Sequence, residues 1–293
     1  MTSADTLRRT GARRLADAGV DAAAHDAAEL LAHVLGVEPG RLLLIDHVAS
    51  TDADRYDEAL ARRAAREPLQ HITGTAYFAG RELAVGPGVF VPRPETELIV
   101  EWAMRNRPDR RRVADLCSGS GALALALADR LPGADVVAVE KSEVALEYLR
   151  RNAADSGVHV VRGDVTDPSV MSVALGDRDL IVSNPPYVPA ASPVSAEVRH
   201  DPADAVFSGE TGMDVIDAMV PIVADALIPG GLFAVEHDDE TADAVVATLV
   251  TDGRFIDVTA HQDLAGRPRF VTARRTGEHA GTDTDNDRAR MEP

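Results

Sequence analysis

The tetrapeptide Asn184-Pro185-Pro186-Tyr187 follows an apolar run that predicts a β-strand over Leu180–Ser183. Two consecutive prolines keep the backbone extended and remove two N–H donors, so the exposed polar groups are mainly acceptors, the Asn184 side-chain oxygen and the Pro185 carbonyl. Two fixed acceptors match an NH₂ group with its two donors, and Tyr187 offers a flat face for stacking. The tetrapeptide therefore predicts a site for a planar amide or amino nitrogen, although alone it also fits a Pro-Pro turn with a capping asparagine.

A planar amide nitrogen is a weak nucleophile, because its lone pair is delocalised into the neighbouring carbonyl. Hydrogen bonds from its N–H groups to Asn184 and Pro185 would raise the electron density on nitrogen and orient the lone pair. We therefore predict Asn184, Pro185 and Tyr187 as catalytic residues, without a histidine or cysteine nucleophile near them.

A glycine-rich loop, Asp115–Gly121, lies between a predicted strand and a predicted helix. Gly119 and Gly121 permit a tight turn and a close approach of ligand to backbone, at the strand ends where open α/β sheets bind ligands. A dinucleotide site usually has a third glycine where Ala124 stands, and a carboxylate at Asp115 is poorly placed for a diphosphate. The loop favours S-adenosylmethionine, which carries an ammonium and a sulfonium, over NAD.

Acidic residues follow the next two predicted strands. Glu140 can accept hydrogen bonds from both hydroxyls of a ribose, a need that NAD and S-adenosylmethionine share. Asp164 can accept from the exocyclic amine of adenine, and Val165 can pack on the ring. A solvated strand-end acid and a plain Gly-Asp turn are the alternative interpretations of these positions.

The elements that position these residues predict an α/β fold. Strands alternating with helices indicate a parallel sheet with helices on both faces. We predict a helical domain over residues 1–75, a β-hairpin connector over residues 76–94, a methyltransferase domain over residues 95–275 and a disordered polar tail over residues 276–293. The helical domain carries no chemical motif, so we expect it to help grip the substrate.

Composition narrows the classes of partner and compartment. The 293 residues include 48 acids against 30 bases, for a formal charge of −18, which weighs against nucleic acid as the main partner. No run is apolar enough to span a membrane, and the N-terminus lacks the apolar core of a secretory signal. A single cysteine fits the cytosol, so we expect a cytoplasmic protein without a disulfide framework. We expect no metal.

At this point the chain resembles the release-factor glutamine methyltransferases, the HemK/PrmC family. Asn-Pro-Pro-Tyr also occurs in adenine-N6 and rRNA guanine-N2 methyltransferases, and the Pro-Arg-Pro-Glu-Thr-Glu segment narrows the resemblance to the glutamine enzymes. The motifs that carry it cover most of the chain: Leu69–Gly74, Val91–Glu97, Asp115–Gly121, Ser183–Tyr187 and Asp263–Arg267.

The resemblance implies a seven-stranded, Rossmann-like S-adenosylmethionine methyltransferase domain behind a small helical domain. It implies methylation of the N5 amide of the glutamine in the Gly-Gly-Gln motif of class I peptide-chain release factors. The implied cofactor contacts are Cys117, Ser118, Gly119, Ser120, Gly121, Glu140, Asp164, Val165 and Asn184. The predicted substrate contacts are Asn184, Pro185, Pro186, Tyr187 and Arg93.

Three positions depart from the family pattern. Cys117 stands where glycine is usual and slightly narrows the loop, Glu140 stands where aspartate is usual, and Val165 replaces a common aromatic residue. None of these changes removes a chemical group that the reaction needs. Two other classes stay open: an adenine-N6 or guanine-N2 nucleic-acid methyltransferase, which the charge and the lack of a recognisable recognition module disfavour, and a degenerate fold kept for binding, which the intact motifs oppose.

Overall fold

Four α-helices precede the first strand, and helices and strands then mostly alternate along the chain. The computed structural model describes residues 3–106 and 111–277. The α-helices are α1 (Ala4–Asp17), α2 (Ala23–Leu35), α3 (Ser50–Ala64), α4 (Leu69–Thr73), α5 (Glu97–Asn106), α6 (Ala122–Arg130), α7 (Glu143–Ala153), α8 (Pro168–Leu175), α9 (Ala203–Val206), α10 (Asp214–Ala226) and α11 (Ala242–Asp252). The strands are β1 (Thr75–Phe78), β2 (Arg81–Ala84), β3 (Arg112–Leu116), β4 (Asp135–Glu140), β5 (His159–Arg162), β6 (Arg178–Ser183), β7 (Leu227–Glu236), β8 (Phe255–Gln262) and β9 (Pro268–Arg275). Three short 3₁₀ helices span Pro39–Leu44, Pro94–Thr96 and Val198–His200.

The large sheet has seven strands in the order β5-β4-β3-β6-β7-β9-β8. Strands β3 to β7 are mutually parallel, whereas β9 runs antiparallel to β7, and β8 antiparallel to β9. The parallel sheet that the alternating pattern indicated therefore extends from β5 to β7, and the edge formed by β9 and β8 is antiparallel. The connection between β8 and β9 is the short segment Asp263–Arg267, and a parallel pair needs a crossover of a dozen or more residues.

The apolar residues of the central strands divide between the two faces of the sheet. In β3 the side chain of Val113 joins the core beneath α5, α6 and α7, while that of Ala114 joins the core beneath α8, α10 and α11. Alternation of this kind follows from the two-residue period of a strand, and burial on both faces explains the continuous apolar runs. The motifs at the strand ends are thus held by a rigid, doubly covered sheet.

Two helices of this cover, α8 and α11, begin in different ways. For α8 the sequence contains a start signal, since the Asp167 side chain accepts from the backbone N–H groups of Ser169 and Val170, and Pro168 follows at the first helical position. Helix α11 begins without a side-chain cap. Among the described helices none is long and apolar enough to cross a membrane.

The structure describes the predicted connector and the first two residues of the predicted C-terminal tail. Strands β1 and β2 form an antiparallel hairpin that begins at Thr75, one residue before the segment 76–94 expected to be a β-hairpin connector. Of the predicted tail, Thr276 and Gly277 are described, and the Thr276 N–H donates to the Arg254 carbonyl at 2.9 Å. The remainder of that prediction, residues 278–293, lies outside the described residues.

The N-terminal helices are tied together and to the sheet domain by a buried cation. Arg63 on α3 donates through Nε to Asp26 on α2 at 2.7 Å, and both side chains are less than a tenth exposed. The same guanidinium donates through Nη2 to Glu197 at 3.1 Å, and Arg66 also donates to Glu197, at 2.8 Å. Glu197 lies in the segment that follows the Asn-Pro-Pro-Tyr motif, so this cluster connects the helical domain to the motif's own loop.

We expect Asp26→Ala to lower the free energy of unfolding by about 3 kcal/mol, because it leaves a buried guanidinium without its nearest carboxylate. Asp57→Ala is the matched control, since Asp57 pairs with Arg14 but its side chain is 72% exposed. Removing that exposed pair should cost less than about 1 kcal/mol. Urea denaturation of both variants measures the difference, and equal losses would contradict the role given to the buried pair.

Candidate active site

A cavity of about 700 Å³ opens at the carboxyl ends of the parallel strands. It lies beside the junction of β3 and β6, where the strand order reverses and where open α/β sheets place their ligand sites. The cavity is lined by all the residues that the sequence assigned to cofactor and substrate except Gly121. Those residues are Arg93, Cys117, Ser118, Gly119, Ser120, Glu140, Asp164, Val165, Asn184, Pro185, Pro186 and Tyr187.

Gly121 lies behind the cavity wall, where it sets the path of the glycine loop. Its φ of +92° is in the region that favours glycine, and a Cβ there would lie 2.6 Å from Leu149 Cδ1. The loop is fixed to the end of β4, because the Ser118 N–H donates to the Val139 carbonyl at 3.0 Å. The Gly119 N–H donates to Glu140 Oε2 at 2.8 Å.

Asp115 is buried at the base of the loop. Its Oδ2 accepts from Ser118 Oγ at 2.5 Å and from the Ala124 N–H at 3.0 Å. Its Oδ1 and the Ser120 hydroxyl are buried without a hydrogen-bond partner among the described residues. Burial raises the pKa of Asp115 to about 7. An unpartnered carboxylate oxygen in a cavity wall fits the cationic amino-acid end of S-adenosylmethionine, and that contact stays a prediction.

The Glu140 carboxylate accepts more hydrogen bonds from the protein itself than its position in the sequence predicts. Besides the Gly119 N–H, its carboxylate accepts from the backbone N–H groups of Lys141 and Ser142, both at 2.8 Å. A carboxylate offers about four acceptor positions, so one is left for a ribose hydroxyl in this conformation. The predicted contact with both ribose hydroxyls needs the bond to the glycine loop to rearrange.

Asp164 pairs with Lys141, the single lysine of the chain and a residue that sequence reasoning did not assign to the site. The Lys141 ammonium lies 2.7 Å from Asp164 Oδ2, while Oδ1 accepts from the Thr166 N–H and hydroxyl at 3.0 and 2.7 Å. Burial raises the pKa of Asp164, but the hydrogen bonds from Lys141 and Thr166 outweigh it and lower that pKa to about 2. The carboxylate is therefore ionised beside Val165, which is buried in the cavity wall.

Asn184 begins a chain of buried hydrogen bonds that the sequence did not reveal. Its Nδ2 donates to Thr96 Oγ1 at 3.1 Å, and the Thr96 hydroxyl lies 2.7 Å from Glu236 Oε2. The Tyr187 hydroxyl donates to Glu236 Oε1 at 3.0 Å. In the sequence, Thr96 stands out only as part of the Pro-Arg-Pro-Glu-Thr-Glu segment that carries the family resemblance. The available signal for Glu236 was an acid that ends an apolar strand at the same edge of the sheet.

Tyr187 is also fixed through its backbone. A Cβ on Gly212 would lie 2.2 Å from the Tyr187 carbonyl oxygen, and Gly212 has a φ of +82°. Directly after it, the Val188 N–H donates to the Val206 carbonyl at 2.9 Å, and the Val188 carbonyl accepts from the Ser208 N–H at 2.9 Å. Backbone contacts at Tyr187 and Val188 thus hold the segment that follows β6.

Arg93 lines the cavity, but its charge already has a partner. Its Nη2 donates to Asp201 Oδ2 at 2.7 Å, and its guanidinium carbon lies 4.9 Å from the centroid of the Phe90 ring. The Asp201 side chain is fully buried and also accepts from the Val91 N–H at 3.3 Å. A direct contact between Arg93 and a substrate stays a prediction.

Cys117 lies in the same cavity, although the sequence placed no thiol near Asn184. Burial raises the pKa of the Cys117 thiol, so it stays protonated and is a poor nucleophile. Its φ of +57° lies in the left-handed region, which disfavours residues with a Cβ. The consequence of cysteine at this position is therefore backbone strain as well as the narrowing expected from sequence. No histidine is among the described residues that line the cavity.

Asp115→Asn should change how stability depends on pH. Because the pKa of Asp115 rises from 3.8 to about 7 on folding, the folded chain binds more protons than the unfolded chain between these values. Its contribution to the free energy of unfolding falls by up to about 1.4 kcal/mol per pH unit as the pH rises through that window. The Asn variant should lose this slope and bind S-adenosylmethionine about tenfold or more weakly.

Thermal denaturation across that pH window, with calorimetry for the cofactor, measures both effects. Asp129→Asn, which alters an exposed side chain, is the control. Parallel stability curves for wild type and Asp115→Asn would contradict the assigned burial of charge.

Cys117→Gly should be more stable than Cys117→Ala by about 1 kcal/mol, because only glycine relieves the left-handed backbone at this position. Part of the gain is offset by the greater freedom of glycine in the unfolded chain. Chemical denaturation of the pair, which lacks the thiol in both members, isolates the backbone effect. Equal stability of the two variants would mean that Cys117 is unstrained.

The chain matches two family models, one described as PrmC N-terminal domain over residues 6–74 and one described as Methyltransferase small domain over residues 84–200. A methyltransferase from Pyrococcus furiosus has a similar fold, with a TM-score of 0.50 at 20% identity over 67% of this chain and 89% of that chain.

Similarity to known sequences is much closer. The chain is 48% identical to the release factor glutamine methyltransferase of Mycobacterium tuberculosis, over 93% of this chain and 92% of that protein. It is 50% identical to the release factor glutamine methyltransferase of Mycolicibacterium smegmatis, over 94% and 99% of the two chains. Identity of this extent across both domains means that the chain belongs to the release factor glutamine methyltransferase family.

Proposed function

We propose that this protein transfers a methyl group from S-adenosylmethionine to the N5 amide of the glutamine in the Gly-Gly-Gln motif of class I peptide-chain release factors. One observation supports this most directly. Asn184 donates through Nδ2 to Thr96, so its Oδ1 is the free acceptor beside Pro185 in the cavity. That arrangement suits a substrate that presents an NH₂ group.

The chain's own residues would hold the cofactor along one side of the cavity. Asp115 Oδ1 would receive the ammonium group, Glu140 a ribose hydroxyl, and Val165 one face of the adenine ring. When bound, S-adenosylmethionine supplies a methyl group on a positively charged sulfur. Three carboxyl groups, those of Asp115, Glu140 and Asp164, line this side and suit a cationic ligand.

Asn184, Pro185 and Tyr187 would act on the substrate by positioning it. The Asn184 side-chain oxygen and the Pro185 carbonyl would accept hydrogen bonds from the two N–H groups of the glutamine amide. These bonds would raise the electron density on the amide nitrogen and fix the direction of its lone pair. The Tyr187 ring, fixed by Glu236 and Gly212, gives the amide plane a surface to lie on.

The helical domain, residues 1–75, is proposed to grip the release factor, with residues 76–94 as its connector to the catalytic domain. The ion pairs of Arg63 and Arg66 with Glu197 support this role, because they link the helices to the loop after the Asn-Pro-Pro-Tyr motif. A release factor acts in translation termination, so the proposed enzyme is cytoplasmic.

The competing function is methylation of an adenine or guanine amino group. The charge of −18 disfavours it, and so does the match to the PrmC N-terminal domain. Radiolabelled S-adenosylmethionine, offered with a release factor, with total RNA and with duplex DNA, distinguishes the two. We expect label only in the release factor, and none after its Gly-Gly-Gln glutamine is changed to alanine. Label in RNA or DNA alone would overturn the proposal.

Asn184→Ala should lower turnover by about 10²–10³, because it removes one preorganised acceptor from the substrate amide. Asn184→Asp keeps an acceptor but cannot donate to Thr96, so we expect activity between those of Ala and wild type. Asn106→Ala, an exposed asparagine at the end of α5, is the control and should retain full turnover. Single-turnover assays with a release factor at saturating cofactor measure these rates, and near-wild-type turnover in Asn184→Ala would exclude the mechanism.

A further inference from the structure

We propose that Glu236, acting through Thr96, is a positioning residue that fixes which end of the Asn184 amide faces the substrate. This inference rests on the proposed function and extends it to two residues outside the Asn-Pro-Pro-Tyr motif. Thr96 lies in the 3₁₀ helix Pro94–Thr96, and Glu236 ends β7. Two hydrogen bonds support this inference: Thr96 donates to Glu236 at 2.7 Å, and Asn184 donates to Thr96 at 3.1 Å.

The direction of each hydrogen bond follows from the chemistry of its members. An ionised carboxylate only accepts, so the single hydrogen of the Thr96 hydroxyl must point to Glu236. Toward Asn184 the hydroxyl oxygen can then only accept. Asn184 must present its NH₂ group to Thr96 and its oxygen to the cavity. The Glu236 carboxylate, two hydrogen bonds away, therefore imposes the orientation of the Asn184 amide. The side-chain amide of an isolated asparagine could turn over freely.

Burial makes this constraint strong. Thr96 is 3% exposed and Glu236 is 1% exposed, so water does not compete for the hydroxyl. If the Asn184 amide turned over, its oxygen would face the Thr96 oxygen with no hydrogen between them. A buried polar pair of this kind is strongly disfavoured, and the reversed amide would offer the substrate NH₂ group a donor in place of an acceptor.

Glu236 holds a second group of the same site. Its Oε1 accepts from the Tyr187 hydroxyl at 3.0 Å while its Oε2 serves Thr96, so the two oxygens divide between the aromatic ring and the asparagine. Burial raises the pKa of Glu236, whereas the hydrogen bonds from Thr96 and Tyr187 favour its ionised form. Of the charged groups that face it, Arg269 also favours the ionised form and Glu95 disfavours it. One carboxylate thus sets both the stacking surface and the acceptor.

Thr96→Val removes the hydroxyl and keeps the volume. We expect kcat to fall by about 10- to 100-fold, while KM for the release factor and Kd for S-adenosylmethionine change less than about threefold. Thr96→Ser restores a hydroxyl and should recover most of kcat. Thr248→Val is the matched control, because Thr248 also donates to a carboxylate, Asp217, at 2.7 Å but lies far along the chain on α11.

Glu236→Gln tests the direction of the hydrogen bonds that link Glu236, Thr96 and Asn184. A carboxamide can donate to Thr96, whose hydroxyl then donates to Asn184 and reverses the amide. We expect a loss in kcat of about 10- to 100-fold, and less than about threefold further loss when Thr96→Val is added, because both changes break one chain. In the wild type kcat should fall at acidic pH as Glu236 takes up a proton, and the Gln variant should lack that fall. The proposal would be overturned if the losses in kcat of Glu236→Gln and Thr96→Val multiplied in the double variant. It would also be overturned if Glu236→Gln showed the same pH dependence of kcat as the wild type.

A readout independent of turnover separates this inference from the proposed function. In ¹⁵N-labelled protein the Asn184 side-chain NH₂ signal, identified by its loss in Asn184→Ala, should exchange slowly with solvent and become fast in Thr96→Val. Slow exchange in both would overturn the positioning role. If wild type fails to methylate a release factor but the exchange rates follow this pattern, the substrate assignment fails and the orientation of Asn184 stands.

Discussion

Leu116 lies opposite Ser183 in the parallel pair β3–β6, and the Ser183 hydroxyl donates to the Leu116 carbonyl at 2.8 Å. This alignment places the next residue of each strand, Cys117 and Asn184, at one edge of the sheet. The loop predicted to hold the cofactor and the motif predicted to hold the substrate therefore begin side by side. A slip of one residue would turn every side chain of β6 to the opposite face and separate the two motifs.

The site also concentrates negative charge. Asp115, Glu140, Asp164 and Glu236 all line one cavity. Each carboxylate is supported by local donors: Ser118 for Asp115, backbone N–H groups for Glu140, Lys141 for Asp164, and Thr96 with Tyr187 for Glu236. Partial support of this kind keeps the fold intact while leaving acceptors that a cationic ligand can complete. The stability of the folded chain and its affinity for ligand are therefore coupled.

Local patterns made much of this arrangement predictable. Gly119, Gly121 and the Asn-Pro-Pro-Tyr motif could be placed at strand ends because each follows an apolar run, and the seven-stranded fold followed from the family resemblance. The antiparallel direction of β8 and β9 could not be predicted from the apolar pattern, because that pattern does not encode strand direction. The contact between Thr96 and Glu236 joins residues 140 positions apart, and no spacing rule in one sequence reports such a pair.

Lys141 has a consequence for handling the protein. It is the single lysine of the chain, its side chain is 72% exposed, and it lies at the edge of the cavity beside Asp164. Reagents that acylate side-chain amines therefore have one target, and it is next to the proposed adenine pocket. The hydrogen bond that the Lys141 ammonium donates to Asp164 raises the pKa of Lys141, which slows its acylation. A dye attached there would report on the occupancy of the pocket without an engineered attachment point.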